Sequence, residues 1–275
     1  MKKSVYALLF LLLSALALSA CGLLRETEAP SATLEAIPLE TQSAGVATTA
    51  PAEATTAPEP TAEEPTATPA EATMAPEATT APEPTAAPTE TTAAPAGEAQ
   101  VFTIDSAASQ VRFEIDEDLR GSRNTVVGTT DQVAGQISVN LADLAQTQVG
   151  IIQINARTLA TDNNFRNRAI NNEILDTGQF EFITFTPTAI ECLPASATMG
   201  EAITFSIVGD LTIRDVTLPA TFDVTATAVS DTQITGTATA VINRADYGLQ
   251  IPSVPNVANV EEEVELFIDF VANAS

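Results

Sequence analysis

Beyond residue 99 the chain alternates hydrophobic and polar residues at period two. Ile203 to Ile213 read Ile-Thr-Phe-Ser-Ile-Val-Gly-Asp-Leu-Thr-Ile, and Phe222 to Ala228 read Phe-Asp-Val-Thr-Ala-Thr-Ala. From Ile234 to Ile242 one face holds Ile234, Gly236, Ala238, Ala240 and Ile242, with mostly threonine on the other; Val264, Leu266, Ile268 and Phe270 repeat the pattern near the end. Successive side chains of a strand point to opposite faces, so this alternation predicts antiparallel strands with one buried and one wet face. Further strands are expected near 101–104, 109–115, 133–140, 147–155 and 180–186. Turn residues separate them at Gly121-Ser122, Asp176-Thr177-Gly178, Arg214-Asp215 and Ser230-Asp231. One stretch breaks the period: Asp162-Asn163-Asn164 ahead of Phe165 to Ile170 reads as a short helix with an Asx cap.

Eight or more strands in some 175 residues must hide their edges. Closure into an all-β, antiparallel barrel with one short helix does this, and a sandwich is the competing architecture. The inward residues Ala226, Ala228, Gly236, Ala238 and Ala240 are small, and tryptophan is absent. Small inward residues leave room for a ligand in a barrel of about eight strands, or mark places where the barrel tapers or a helix packs.

The chain before residue 99 is of another kind. Alanine, proline, threonine and glutamate dominate from about Ala29 to Glu98, and the segment Glu53 to Ala62 recurs unchanged at Glu77 to Ala86. Neither copy has an apolar face to bury, and frequent prolines bias the backbone toward extended conformations. The expectation is a disordered, semi-rigid spacer. Ahead of it, Lys2 and Lys3 precede an apolar run from Val5 to Leu18, which ends in Leu18-Ser19-Ala20-Cys21. The run is too short to span a bilayer, and the ending fits a lipoprotein cleavage site whose cysteine thiolate accepts lipid. The expected organisation is therefore a signal peptide over 1–20, a lipidated N-terminus at Cys21 with linker over 21–98, and a barrel over 99–275. The expected location is the bacterial cell envelope, held to a membrane by that anchor and facing the periplasm or exterior.

Charge and composition narrow the chemistry. Residues 99–275 carry eight arginines, no lysine and 23 acidic residues, a net charge of −15. Such a surface repels phosphate backbones, which excludes nucleic acid as a partner. No histidine occurs anywhere in the chain, so the commonest general base and metal ligand are missing. No catalytic residues, metal site or cofactor are expected. Asp116-Glu117-Asp118 and Glu261-Glu262-Glu263 lack the spacing of a calcium loop and read as solvated strand ends. With Cys21 carrying lipid, Cys192 has no disulfide partner and reads as a small buried hydrophobe.

Four stretches in order resemble the YceI-like family of bacterial envelope proteins. Val208-Gly209-Asp210-Leu211-Thr212-Ile213 followed by Val216-Thr217-Leu218-Pro219 is the strongest, with Ile242-Asn243-Arg244-Ala245-Asp246-Tyr247-Gly248 second. Ile104-Asp105 with Ser109 to Phe113, and Phe180 to Phe185, add weaker matches. The resemblance covers about 100–272. It implies a lipocalin-like barrel with a lumen, similar to carriers of isoprenoid or other long-chain amphiphiles. The chain departs from the family in its helical motif, where Arg166-Asn167-Arg168-Ala169-Ile170 lacks the usual aspartate and histidine, and Asp215 stands for a turn glycine.

On this reading the protein sequesters or transfers a polyprenyl or fatty amphiphile at a membrane. The tail would lie against Phe113, Phe182, Phe205, Leu211, Phe222 and Ile242. Arg166, Arg168 and Arg244 are the candidate headgroup contacts. Arg244 and Asp246, two apart on a strand end, equally fit a structural pair pinning the rim. The alternative is a surface module for adhesion, stress protection or display, which would use the same tether. The oligomeric state is left open.

Overall fold

The computed structural model describes residues 26–31, 34–39 and 98–275. The expected signal peptide, Cys21 and the repeat at 53–86 lie outside the described residues. Among the described residues no helix is long and apolar enough to cross a membrane.

The chain enters the barrel at β1 (Gln100–Ile104), turns once through Ser106–Ala108, and continues as β2 (Gln110–Leu119). Asp105 holds that turn by accepting the backbone N–H of Ala107 at 3.0 Å. A two-residue loop, with Arg120 and Gly121 at φ 55° and 82°, leads to β3 (Ser122–Thr130). Left-handed backbone at both positions matches the twist of paired strands, which is why this hairpin is tight. The same length of chain runs on as β4 (Val133–Ala134) and β5 (Gln136–Val139), then returns through β6 (Gln148–Val149) and β7 (Ile152–Asn155). Next comes α1 (Asn164–Ala169), prolonged by one wider helical turn, Ile170–Ile174. As expected, an Asx residue caps it: Asn163 Oδ1 accepts the N–H groups of Phe165 and Arg166 at 2.9 and 3.3 Å. Long strands follow: β8 (Phe182–Glu191), β9 (Ala202–Ile213), β10 (Val216–Ser230) and β11 (Gln233–Asn243). The short β12 (Val257–Ala258) and then β13 (Glu263–Ala274) complete the chain.

All pairings are antiparallel, in the order β7-β8-β9-β10-β11-β13. β13 carries both β2 and β1 along its free edge, with Phe113 opposite Leu266 and Ile104 opposite Ala272. β2 then pairs β3, while β4 pairs β7 through Val133 and Ile154. One run of chain thus binds β2 on one side and β7 on the other, and the sheet closes into a barrel. Reciprocal bonds between Thr129 and Ala160, at 2.9 and 3.0 Å, seal the seam. The inward face is the apolar core, in which Phe102, Leu211 and Val133 are almost wholly buried.

The strands fall where alternation places them, with two additions, β3 and the two-residue β12. β3, Ser-Arg-Asn-Thr-Val-Val-Gly-Thr-Thr, has too few apolar residues to show a period, yet Val126, Gly128 and Thr130 turn inward. Two local expectations are corrected. Arg214, not Asp215, takes the left-handed position of the β9–β10 turn, at φ 58°. Cys192 is exposed with φ 59°, not buried, because it sits in the turn that ends β8.

Residues 26–31 and 34–39, in the stretch read from composition as linker, bond to the barrel wall through Ala29, Glu28, Ser31 and Leu39. Arg157, with a buried side chain, donates to Thr177 O at 2.8 Å, Gly178 O at 3.2 Å and Ala29 O at 3.1 Å. It also pairs with Glu181 at 3.1 Å and Glu28 at 3.3 Å. Glu181 accepts the Ser31 N–H at 2.8 Å, the Ser31 hydroxyl, and Asn155 Nδ2 at 3.0 Å. Farther along, Leu39 donates its N–H to Gln136 Oε1 at 3.2 Å.

Burial pushes the Glu181 carboxyl up, but the Ser31 bonds, Asn155 and the Arg157 charge outweigh it and hold the group below its ordinary 4.5. A depressed carboxylate contributes stability above its ordinary value and loses it as pH falls through the lowered one. Hydrogen exchange should therefore show residues 26–31 protected at neutral pH and released as pH drops below 4.5. Glu181→Gln should release them at every pH; unchanged protection in that variant would contradict the assignment.

Candidate functional site

The barrel interior holds a cavity of about 480 Å³ between α1 and the chain from Leu249 to Val260. Its wall comes from inward positions of neighbouring strands: Phe113 and Ile115 of β2, Ile183 of β8, Leu211 and Ile213 of β9, and Ile242 of β11. Around the rim stand Phe165 and Ala169 of α1, facing Ile251, Pro252, Val254 and Pro255. Phe165 is 71% exposed, an unusual setting for a large apolar ring. A cavity of this size and lining falls in the range of sites that enclose one small organic ligand.

A second cavity of about 100 Å³ lies deeper, toward the other end of the barrel. Ala226, Ala228 and Ala238 line it, together with Ile203, Phe205 and Phe270. Phe185 and Phe222 border both cavities, their ring centroids 4.8 Å apart and inclined at 64°. Phe185 is backed by Gly209, where an added Cβ would stand 2.7 Å from the ring. Gly236 serves Phe270 in the same way, with a Cβ-to-ring distance of 2.7 Å. Gly236 is therefore small because an aromatic ring fills its place, whereas Ala226, Ala228 and Ala238 border open space.

Most polar residues of the large cavity collect at the β2–β3 hairpin end; Arg112 of β2 stands apart, its guanidinium 4.1 Å from the Phe267 ring and paired with Glu114 at 2.9 Å. Glu117, buried on β2, pairs with Arg166 of α1 at 3.1 Å and accepts Asn124 Nδ2 at 3.2 Å. Arg166 also meets Asp162 at 2.6 Å. Arg244 donates to the carbonyls of Glu261 at 2.8 Å, Leu249 at 3.1 Å and Val260 at 3.5 Å, and pairs with Glu262 at 2.8 Å. It clamps both ends of the Leu249–Val260 loop. Two acidic clusters nearby are likewise engaged: Arg123 joins Asp116 and Glu261, and Asn259 donates to Asp118 at 2.7 Å. Arg120 also lines the cavity and is exposed.

The expected residues are distributed as follows. Phe113, Leu211 and Ile242 line the large cavity, Phe205 the small one, and Phe222 both. Phe182 lines neither. On β8 the inward set is Ile183 and Phe185, one residue out of step with the expectation, because the strand is hydrophobic on both faces there and offers no phase. Of the three arginines, Arg166 and Arg244 border the large cavity with carboxylate partners, and Arg168 is exposed away from it. Arg244 pairs with Glu262 and not with Asp246. Glu117, Arg120 and the apolar loop 249–260 were missed. A lone Glu at an inward position of an otherwise apolar β2 face was the available signal.

Residues 102–272 match the model of the YceI-like domain. A UPF0312 protein of Staphylococcus aureus strain MSSA476 is 32% identical over 158 residues, covering 54% of this chain and 81% of that protein. Among solved structures, a polyisoprenoid-binding domain from Saccharophagus degradans implicated in plant cell wall breakdown superposes with a TM-score of 0.51 at 15% identity. That superposition covers 64% of this chain and 99% of the other. BcnA of Burkholderia cenocepacia superposes with a TM-score of 0.50 at 20% identity, over 62% and 99%. At these identities the structures share the fold.

The Arg244 clamp is directly testable. Arg244→Ala removes a charge-assisted anchor of four acceptors and is expected to cost about 2–4 kcal/mol of stability. Hydrogen exchange should rise over 245–260 before the rest of the barrel, and uniform exchange would show that the clamp does not hold the loop.

Proposed function

Because the chain belongs to the YceI-like family, we propose that its barrel binds one isoprenoid or other long-chain amphiphile, with the tail in the large cavity. The observation that carries this is the cavity itself: about 480 Å³, walled mainly by aliphatic and aromatic side chains, with Glu117, Arg120, Arg166 and Arg244 at one end. Burying a hydrocarbon tail there gains roughly 0.8 kcal/mol per CH₂. The Saccharophagus degradans domain of the same fold is a polyisoprenoid-binding domain, which supports an isoprenoid as the ligand class. Phe113, Leu211, Phe222 and Ile242 are the tail contacts. Phe182, which lies outside both cavities, is dropped from that set.

The headgroup contacts differ from the three arginines expected from sequence. Arg166 and Arg244 already hold carboxylates, so the end of the cavity is nearly charge-balanced and suits a hydroxyl or other neutral polar head better than a phosphate. Arg120 is the cation placed to meet a weakly anionic group. The reading is a binding protein and not an enzyme. It is favoured over an adhesion or display module by the open volume, which a purely structural barrel would fill with side chains.

We further propose that Cys21 carries lipid and holds the protein at a membrane of the cell envelope, on the strength of Leu18-Ser19-Ala20-Cys21 after a 14-residue apolar run. Native mass spectrometry of gently purified protein should show one bound amphiphile, and delipidated barrel should take up a prenyl alcohol or fatty acid. Ile242→Asp should lower that uptake at least tenfold by placing a charge in the wall. A delipidated barrel that accepts no such ligand ends the carrier reading. Separately, Cys21→Ser should move the protein from the membrane to the soluble fraction of its host; persistence in the membrane would refute the anchor.

A further inference from the structure

The two cavities meet at Phe185, Phe222 and Ile268, and both rings are buried at 4% exposure. The two rings meet edge to face at 4.8 Å where the large chamber, with its polar end, borders the small apolar one. Phe185 cannot retreat toward the wall, because Gly209 has already given up its Cβ to seat the ring. Phe222 stands on β10 opposite Ile207 of β9. Beyond the pair, Ala226, Ala228 and Ala238 leave about 100 Å³ that the large chamber does not reach.

We propose that the Phe185–Phe222 pair is a length stop that sets the longest tail the protein accepts. This rests on the amphiphile-binding reading above. A tail entering past α1 fills the large chamber and gains affinity with each added unit until its end meets the rings. Further carbons must then remain at the rim, where they gain little. The small chamber is reserve volume that only a smaller residue at 185 or 222 makes available.

The test uses the delipidated full domain and a series of prenyl alcohols of increasing length, with affinity read by displacement of a fluorescent fatty acid. In the native protein each added isoprene unit should raise affinity by at least about tenfold and then stop at a defined length. Phe185→Ala should move that plateau to alcohols about one unit longer, over and above any uniform loss of affinity from removing a ring that borders the large chamber. Ala238→Leu, which fills the small chamber, should leave the native plateau where it is. Combined with Phe185→Ala, it should cancel the extension.

A plateau that stays put in Phe185→Ala overturns the length stop while leaving the binding reading intact. So does a plateau that shortens in Ala238→Leu alone, since the tail would then already pass the rings. If Phe185→Ala does not fold, Phe222→Leu, which also trims a tail contact and so lowers affinity along the whole series, should still move the plateau to longer alcohols. Failure of the native protein to bind any alcohol in the series removes both the length stop and the carrier reading.

Discussion

The pairing of one run of chain, residues 122–134, with β2 on one side and β7 on the other is what the rest of the structure depends on. Without it, long antiparallel strands with one apolar face would expose that face and two raw edges. Closure settles both problems together. It also fixes the interior width, since the diameter of a barrel follows from its strand number and tilt. The interior is then wider than its alanines and valines can fill. Phenylalanines take up part of the excess, three of them (Phe113, Phe185 and Phe270) seated against glycines, and the remainder is the pair of cavities. The binding volume is thus a consequence of closing this many strands around this particular set of small inward residues.

Much of this was legible in the residues. Long one-sided strands announce themselves, so β9, β10, β11 and β13 follow from alternation alone. The phase was lost where both faces are apolar, as at Phe182-Ile183-Thr184-Phe185, and there the inward set shifted by one. β3 was hidden because its inward positions are Val, Gly and Thr. The loop 249–260 has no periodicity, and its role at the rim comes from what Arg244 holds in place. Charge is the least legible property. Three arginines near a cavity suggest an anion site until their partners are known, and Glu117, Asp162 and Glu262 answer two of them.

Pairing those arginines has a physical logic. An unpaired charge facing an apolar cavity would be costly, and its removal by a counter-ion of the protein itself leaves a cavity end that is polar without being strongly charged. The rest of the surface, at a net −15 over residues 99–275, keeps the domain soluble and repels anionic headgroups. Selection by such a site falls on the shape and length of the apolar part.

The docking of residues 26–31 and 34–39 bears on geometry at a larger scale. Leu39 meets Gln136 at one end of β5, and Gln100 pairs with Val139 at the other. Leu39 and Gln100 therefore stand within roughly 15 Å of each other, at about 3.3 Å per strand residue. A stretch that departs from and returns to one place cancels out of any distance measured across it, however many residues it contains. With lipid on Cys21, the separation between bilayer and barrel would be set by the few residues up to Glu28, about 25 Å at most when extended. The protein would then sit like a float moored on a short line, and its cavity rim would meet the lipid surface by tilting the domain, with no long excursion required.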